Sequence, residues 1–355
     1  AIRLKLSVPQ TGRLFLKLIY RLKKELPLVE SGHMLGFDEI RLTNQDERNR
    51  KTLEWLERKD RTGRIMVSET DAQVVLQTGH FRYCLDKRTG LFETLWFAGS
   101  HYLKHPMEFS IWRAPTDNDR LIKQEWKMAG YDRAYTRAYA VEVLRNEHEV
   151  LLMEHVAVVA DAMQKILDIE LIWNIDEAGK LTAAIRAEKD AEFPVLPRFG
   201  IRLFLDKTFG EVTYFGMGPQ ESYRDKHRAA SHGIYHAKVE ELHEDYGRPQ
   251  ENGSHYDCDY VEVTNAAHGL TVTSEQPFSF QASVYTQEEL ERAAHNYELT
   301  ESDSMVLCID YAQHGIGSGS CGPEVLEQYS FSETEFSFGF TIIPFENQDG
   351  KGVSI

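Results

Sequence analysis

The chain of 355 residues is 42% hydrophobic and carries a formal net charge of −16, from 40 basic and 56 acidic residues. An acidic excess of this size excludes a broad phosphate-binding surface and argues against a nucleic-acid partner. No stretch reaches the roughly 18 consecutive apolar residues that a membrane-spanning helix needs, so no membrane span is predicted. The length indicates two or three domains.

The four cysteines, Cys84, Cys258, Cys308 and Cys321, are dispersed and include no CxxC pair. This spacing argues against a zinc site or a disulfide framework, and it favours a reducing compartment such as the cytoplasm. The first residues, AIRLKLSVPQ, contain neither an initiator Met nor an apolar signal core. We therefore expect the chain to begin at an interior point of a longer protein.

Residues 1–64 predict part of a β-sandwich followed by a linker. Three segments alternate between apolar and polar residues as strands do, at Ile2–Val8, Arg13–Lys24 and His33–Leu42. An immunoglobulin-like sandwich takes about seven strands in ~100 residues, so this segment supplies only part of one. Residues 43–64 are almost wholly polar, which predicts a linker and a domain boundary near residue 64.

Residues 65–355 predict a large antiparallel β-sandwich, because many short apolar or alternating segments are separated by turn signals. Thr89-Gly90 and Ala178-Gly179 fall between neighbouring segments, as hairpin loops do. GLTVTS and FSFQASVY, in residues 269–285, predict two successive strands. Only two short helices are predicted, at Gln124–Ala129 and Gln287–His295. The fold class is therefore all-β.

The motif WRAPTDND at Trp112–Asp119 combines a proline turn with clustered polar side chains. Asp117, Asn118 and Asp119 are suited to satisfying nearby backbone groups or to binding a cation. A calcium loop needs further oxygen ligands at alternate positions and a distal Glu, which the following LIKQEW does not supply. A structural capping role is favoured, and it includes the neighbouring Arg113.

The motif FGMGPQESYRDKH at Phe215–His227 places a Gly-Pro turn before a dense set of polar side chains. Its acceptors, donors and ring face are the groups that recognise sugar hydroxyls and pyranose faces. An ordinary solvated loop is the competing interpretation. The polar residues are Glu221, Tyr223, Arg224, Asp225 and His227.

The motif RPQENGSHYDCDY at Arg248–Tyr260 contains a second Pro-Gln-Glu turn, with Glu251 and Asn252 at its centre. If both turns lie at the same rim of the sandwich, Glu221 and Glu251 form part of one polar cleft. Two unrelated loop caps are the alternative.

The segment AQHGIGSGSCGPE at Ala312–Glu324 is a glycine-rich loop after an apolar strand. It matches neither a P-loop, which needs a Lys-Ser/Thr pair, nor a dinucleotide fingerprint, which needs a following helix. A loop that protrudes to meet another domain or a ligand is one interpretation, and a flexible surface loop is the other.

Other catalytic and metal signatures are weak. The spacing of His232, His236 and His243 does not favour a metal site. No nucleophile-elbow signature accompanies a Ser/His/Asp set. Acidic residues are too abundant for the sequence to select the two carboxylates of a glycosidase.

Taken in order, WRAPTDND, FGMGPQESYRDK, PQENGSH and DYAQHGIGSGSCGPE resemble the C-terminal part of family 2 β-galactosidases and their separately encoded small subunits. The resemblance implies that residues 1 to about 60, ending in VESGHMLGFDEIRL, are the latter half of an immunoglobulin-like domain. Residues 65–355 are then the family's final domain, a supersandwich with the galactose-mutarotase-like fold.

The resemblance also implies that catalysis lies elsewhere, because the family's two catalytic glutamates lie on a TIM barrel. This chain lacks the eightfold strand and helix alternation of a barrel, so we expect it to be inactive alone. The implied partners are the barrel-containing part or large subunit and a galactoside, within an oligomer. Mg and Na belong to the family's barrel domain, and no cofactor is expected in this chain.

Motif matching places Cys321 where the family's last domain reaches the active-site mouth with a Trp or a Cys. Ser320 and His314 are expected beside it. A Cys cannot stack on a sugar ring as a Trp does, so a smaller contact is implied. The alternative is a free-standing carbohydrate binder or mutarotase-like enzyme that uses His227 and Glu221 as acid and base. The other motif residues are expected to be structural: Arg113, Asp117, Asn118, Asp119, Glu221, Tyr223, Asp225, Glu251 and Asn252.

Overall fold

The computed structural model describes residues 12–43, 63–162 and 164–347. The chain divides into two compact units, residues 1–58 and residues 59–355. Among the described residues, helices are few and short, and none could cross a membrane.

The first unit contains one antiparallel hairpin, in which β1 (Phe15–Arg21) pairs with β2 (Met34–Arg41). Two of the predicted strands are therefore confirmed, and the third, at 2–8, lies outside the described residues. Apolar side chains of the hairpin, including Ile19 and Leu35, are exposed.

In the second unit, seventeen strands form two antiparallel sheets over the described residues. A five-stranded meander runs in the order β3-β4-β5-β6-β7. These strands are β3 (Met66–Glu69), β4 (Gln73–Gln77), β5 (Phe81–Asp86), β6 (Leu91–Phe97) and β7 (Ser100–His101).

The larger sheet has twelve strands, nine of them in the order β15-β14-β16-β17-β19-β12-β11-β10-β9. The path branches at β17, which also pairs with β18, and the series continues through β13 to β8. The strands are β8 (Leu103–Ser110), β9 (Tyr135–Arg145), β10 (Glu149–Val159), β11 (Lys165–Asp176), β12 (Leu181–Lys189), β13 (Arg198–Asp206), β14 (Glu211–Gly218), β15 (Ser231–Lys238), β16 (Ser254–Thr264), β17 (His268–Ser283), β18 (Ser304–Gln313) and β19 (Glu335–Glu346).

Strand alternation explains how the large core forms. In β12, residues Leu181, Ala183, Ile185 and Ala187 are buried while the side chains between them are more exposed. Successive side chains of a strand point to opposite faces, so this alternation directs one face of the sheet inward. One continuous hydrophobic core joins side chains of both sheets. The prediction of an all-β, large antiparallel fold is confirmed.

The predicted turns and helices are also found, with two differences. Gly90 and Gly179 occupy hairpin turns with φ of +73° and +83°, a conformation that favours glycine. Helix α1 (Ile122–Met128) matches its prediction, whereas α2 (Gln287–Arg292) ends before His295 because Ala293 is extended. The segment GLTVTS and the first six residues of FSFQASVY belong to the single 16-residue strand β17 rather than to two strands. Short 3-10 turns occur at Asp117–Asp119, Tyr131–Arg133, Val239–Leu242, Asn296–Glu298 and Glu327–Tyr329.

Candidate functional site

The four sequence motifs meet at one end of the larger sheet. Strands β8, β14 and β18 end there, and β13 and β16 begin there. Ser110, the last residue of β8, pairs with Gly200 near the start of β13. Arg198, the first residue of β13, pairs with Gln313, the last residue of β18. The loops that carry the motifs continue from these strand ends. The fold therefore brings together segments that lie far apart along the chain, such as Arg113 and Gly315, which are 202 positions apart.

Arg113 and Asp119 form a buried ion pair in the first motif. The Nη2 to Oδ1 distance is 2.7 Å and the Nε to Oδ2 distance is 3.1 Å. The Thr116 amide and hydroxyl also donate to Asp119, at 2.9 and 3.1 Å. With its remaining donors, Arg113 binds the carbonyls of His314 and, at 3.3 Å, Gly315. This pair thus fixes the start of residues 314–324, here called the glycine-rich loop.

Asn118 and Arg120 bind the same loop further along. The Asn118 side-chain amide donates to the Ile316 carbonyl at 2.5 Å, and the Arg120 Nε donates to the Ser320 carbonyl at 2.9 Å. The backbone amide of the neighbouring Asp117 donates to the Gln250 side-chain oxygen at 3.0 Å, while Asp117 itself is exposed. The first motif therefore connects the glycine-rich loop to the second Pro-Gln-Glu turn.

Asp225 holds the loop from the other side. Its carboxylate accepts hydrogen bonds from the amides of Ile316, at 3.1 Å, and Gly317, at 2.8 Å. A Cβ atom at Gly315 would lie 2.6 Å from Asp225 Oδ2, and one at Gly319, where φ is +108°, would lie 2.9 Å from the Asn118 carbonyl. These two glycines are required by close approach of the loop to its supports.

Glu221 joins the two Pro-Gln-Glu turns. Its carboxylate accepts hydrogen bonds from the Gly253 amide at 3.0 Å and the Tyr223 hydroxyl at 3.3 Å, and also from Lys226 and Tyr246. Tyr223 is buried, and burial followed by the charges of Glu221 and Glu251 raises the pKa of its hydroxyl well above the ordinary value. The turns lie at the same rim, and Glu221 of the first turn binds the backbone next to the second turn through the Gly253 amide.

Glu251 belongs to a buried charged cluster with Arg198 and Asp310. Arg198 lies 2.8 Å from Glu251 Oε1 and 2.5 Å from Asp310 Oδ2, and all three side chains are inaccessible to solvent. Burial raises the pKa of both carboxyls, and the charge of Arg198 opposes that rise. Because Glu251 also accepts from the Ala114 amide at 3.1 Å, it is occupied within the protein and does not open into a cleft with Glu221.

Asn252 is buried beside Glu251, and its side chain binds backbone groups on two neighbouring residues. Its Oδ1 accepts from the Glu244 amide at 3.0 Å, and its Nδ2 donates to the Gln250 carbonyl at 2.8 Å. The Asn252 carbonyl in turn accepts from the side-chain amide of Gln281 at 2.5 Å. This residue therefore shapes the turn.

The two histidines of the predicted site are held by neighbouring groups. His314 is buried with its ring edge against Trp126, and burial together with the Arg113 charge lowers the pKa of His314 to about 4. His227 Nδ1 lies 3.0 Å from the Tyr223 carbonyl, and its ring stacks on Tyr256. No hydrogen bond joins His227 to Glu221 within the part of the chain that the structure describes.

The remaining histidines do not gather into a metal centre. His232 pairs with Asp257 at 2.7 Å, His236 with Thr213 at 2.8 Å, and the His243 ring lies against Tyr285. Over residues 12–43, 63–162 and 164–347, no group of three or more metal-ligating side chains could hold an ion.

Cys321 is exposed near the far end of the glycine-rich loop, next to Ser320, whose carbonyl binds Arg120. The other three cysteines are buried. The loop therefore presents a thiol to solvent from a backbone that Arg113, Asn118 and Asp225 hold in place.

Sequence reasoning missed Arg198, Asp310 and Gln313, which complete the support of the site. Arg198 lies within the apolar segment VLPRFGI, and Asp310 and Gln313 lie within the mainly apolar segment MVLCIDYAQ. Such residues are seldom buried without a partner, and that was the available signal.

Comparison with known proteins gives consistent relationships. The family model for the β-galactosidase small chain matches residues 77–342. A β-galactosidase from Actinobacillus pleuropneumoniae is 43% identical over 97% of this chain and 33% of its own length. One from Staphylococcus xylosus is 35% identical over 91% of this chain and 32% of its own length. The chain thus spans about a third of these curated relatives.

Among solved structures, a galactose mutarotase-like protein from Lactobacillus casei aligns with a TM-score of 0.42 and 10% identity, over 77% of this chain and 100% of its own. The family match covers most of the large unit, and the 43% identical relative aligns with nearly the whole chain. The chain belongs to the β-galactosidase small-chain family.

Proposed function

We propose that this chain is the non-catalytic C-terminal portion or small subunit of a family 2 β-galactosidase that hydrolyses terminal β-D-galactosides of the lactose type. It completes the mouth of an active site whose catalytic residues lie on a barrel domain or large subunit. The chain aligns with about one third of the length of longer β-galactosidases, and this partial alignment supports the assignment. The proposed setting is cytoplasmic and oligomeric.

The observation that carries the proposal is the anchored glycine-rich loop. Arg113, Asn118 and Asp225 bind backbone groups of its first half, and Arg120 binds it immediately before Cys321. A loop that is already ordered before binding does not lose the conformational entropy of ordering when it meets a partner or substrate. This arrangement suits a loop that positions one exposed side chain at the edge of a site formed with another domain.

We further propose the domain organisation that accompanies this function. Residues 1–64 are a partial immunoglobulin-like domain with a linker, and residues 65–355 are the supersandwich domain. The exposed apolar side chains of the β1–β2 hairpin support the first assignment, because they suit a sheet that other strands complete. The family's Mg and Na ions belong, on this proposal, to the barrel domain.

The test is reconstitution with the barrel-containing polypeptide of the same source and a chromogenic β-galactoside. We expect no hydrolysis by the 355-residue chain, little by the barrel-containing polypeptide, and strong hydrolysis by the mixture. Hydrolysis by this chain alone would contradict the proposal, as would a mixture no more active than the barrel-containing polypeptide. A coupled assay on α-galactose adds a second criterion, because mutarotation by this chain alone favours the mutarotase-like alternative.

A further inference from the structure

A cleft of about 180 Å³ lies beside the glycine-rich loop, and the established family relationship assigns no role to it. It is smaller than the roughly 300–1,000 Å³ of pockets that hold drug-sized ligands, so it suits one small ring. The lining residues with polar or aromatic side chains near the proposed ligand are Arg224, Tyr256, Tyr311, Gln313, His314 and Glu333.

Gln313 lines this cleft, and its side chain carries an unsatisfied acceptor. The residue is 6% exposed, and its Oε1 has no hydrogen-bond partner among the described residues. Its Nε2 donates to Ser254 Oγ at 3.3 Å and to Asp310 Oδ2 at 3.0 Å. The Asp310 carboxylate requires the nitrogen on its side, so the amide cannot be reversed to satisfy the oxygen. A buried acceptor without a partner is unfavourable, and a ligand hydroxyl would supply the missing donor.

The charges around the cleft favour a neutral ligand. Arg224 and Glu333 both line it, and they place one positive and one negative group there. Only one hydrogen bond of the Arg224 side chain occurs within the described ranges, to the Ser330 carbonyl at 3.4 Å. His314 adds no positive charge near neutral pH, because its pKa is lowered. An anion such as phosphate would meet the Glu333 carboxylate, whereas a polyol can donate to Glu333 and accept from Arg224.

Two tyrosines give the cleft firm aromatic walls. The Tyr311 ring stacks on Phe336 with centroids 5.1 Å apart, and the Tyr256 ring stacks on His227 with centroids 5.7 Å apart. Rings held in this way offer an apolar face at little entropic cost. Aromatic faces combined with a few fixed polar groups are suited to a pyranose, which has both hydroxyls and an apolar face.

We propose that this cleft binds one neutral monosaccharide unit through Gln313, Arg224 and Glu333, against the rings of Tyr256 and Tyr311. The site goes beyond the proposed role of Cys321 at an active-site mouth. It needs no catalytic barrel, so it is measurable on this chain without hydrolysis.

The test is calorimetric titration of D-galactose into the 355-residue chain, with glycerol and inorganic phosphate as comparison ligands. We expect saturable 1:1 binding of galactose with a Kd of roughly 1–10 mM. Glu333→Gln and Arg224→Met should each weaken binding about tenfold, because each removes a charged hydrogen-bonding group. Gln313→Met should do the same if its thermal unfolding matches that of the unmodified chain.

A control variant separates this site from general surface charge. Glu327→Gln alters an exposed residue that does not line the cleft, and it should leave galactose affinity unchanged. Several results would overturn the proposal: absence of saturation at high galactose, equal affinity for glycerol, or preferential binding of phosphate. The same holds if folded Glu333→Gln and Arg224→Met chains bind as before, or if Glu327→Gln weakens binding about tenfold.

Discussion

Arg113 and Asp119 form a bidentate ion pair in which both side chains are buried. The Arg113 guanidinium also binds the carbonyls of His314 and Gly315. Two residues six positions apart therefore fix a loop that lies 200 positions further along the chain. The pair couples the stability of this end of the sheet to the position of the glycine-rich loop.

Replacing Arg113 with Met should strongly destabilise the protein, because it leaves the Asp119 charge buried without its partner. Breaking a buried pair in this way costs about 3–5 kcal/mol. Denaturant unfolding measures the loss. Arg186→Met is the matched control, since Arg186 lies 4.0 Å from Glu170 and both side chains are mostly exposed. The control should change stability by no more than about 0.5 kcal/mol, and equal losses in the two variants would contradict the assigned role.

Gly315→Ala should release the glycine-rich loop from Asp225. The added Cβ would lie 2.6 Å from Asp225 Oδ2, which must move and so lose its bonds to the Ile316 and Gly317 amides. We expect those two amides to exchange with deuterium about tenfold faster or more. Gly322→Ala is the control within the same loop, because nothing lies within 4 Å of its added Cβ. Unchanged protection at Ile316 and Gly317 in Gly315→Ala would count against the clamp.

The sequence was sufficient to predict most strands, because alternation in segments such as β12 reports directly which side chains face the core. The alternation is weaker in β8, in which Pro106 interrupts the pattern. Pro106 and Met107 fall where the pairing with β13 shifts, and β8 has no second neighbour among the described strands. Proline is tolerated at such an irregular edge, where its missing N–H removes no inner hydrogen bond.

The contacts that build the site were harder to predict than its motifs. Arg198 and Asp310 are 112 residues apart, and their pairing depends on β13 and β18 lying side by side. Local patterns contain no information about which distant strands become neighbours. The sequence thus identified the loops, whereas the buried charges between them became visible only in the folded chain.

Glu154→Gln should stabilise the protein at neutral pH. Glu154 is 6% exposed, neither of its carboxyl oxygens has a hydrogen-bond partner in the described part of the chain, and burial raises its pKa well above the ordinary value. A raised folded-state pKa favours the folded state below the unfolded-state pKa of about 4.3, and this stability is lost as pH rises. The gain from Gln should therefore be near zero around pH 4 and grow by up to about 1.4 kcal/mol per pH unit above that.

Unfolding at several pH values measures this effect, with Glu170→Gln as the exposed control. Glu170 side-chain exposure is 75%, so the control should show no comparable pH-dependent gain. A Glu154→Gln benefit that is constant from pH 4 to pH 8 would exclude ionisation of Glu154 as its cause.

Cys321→Ala should affect the assembled β-galactosidase at binding rather than at bond cleavage. Cys321 is exposed on an anchored loop, and a thiol contacts a sugar only weakly, so its loss should change transition-state stabilisation little. We expect KM or acceptor affinity to weaken by about two- to fivefold while kcat stays nearly constant. Steady-state kinetics with several aglycones and acceptors measure both constants.

Ser332→Ala, at an exposed position outside the loop, is the control and should change neither constant. If Cys321→Ala leaves all of these constants unchanged, then Cys321 does not reach the substrate. A large fall in kcat at constant KM would instead place the thiol next to the reacting bond. That result would contradict the proposed position of Cys321 at the rim of the site.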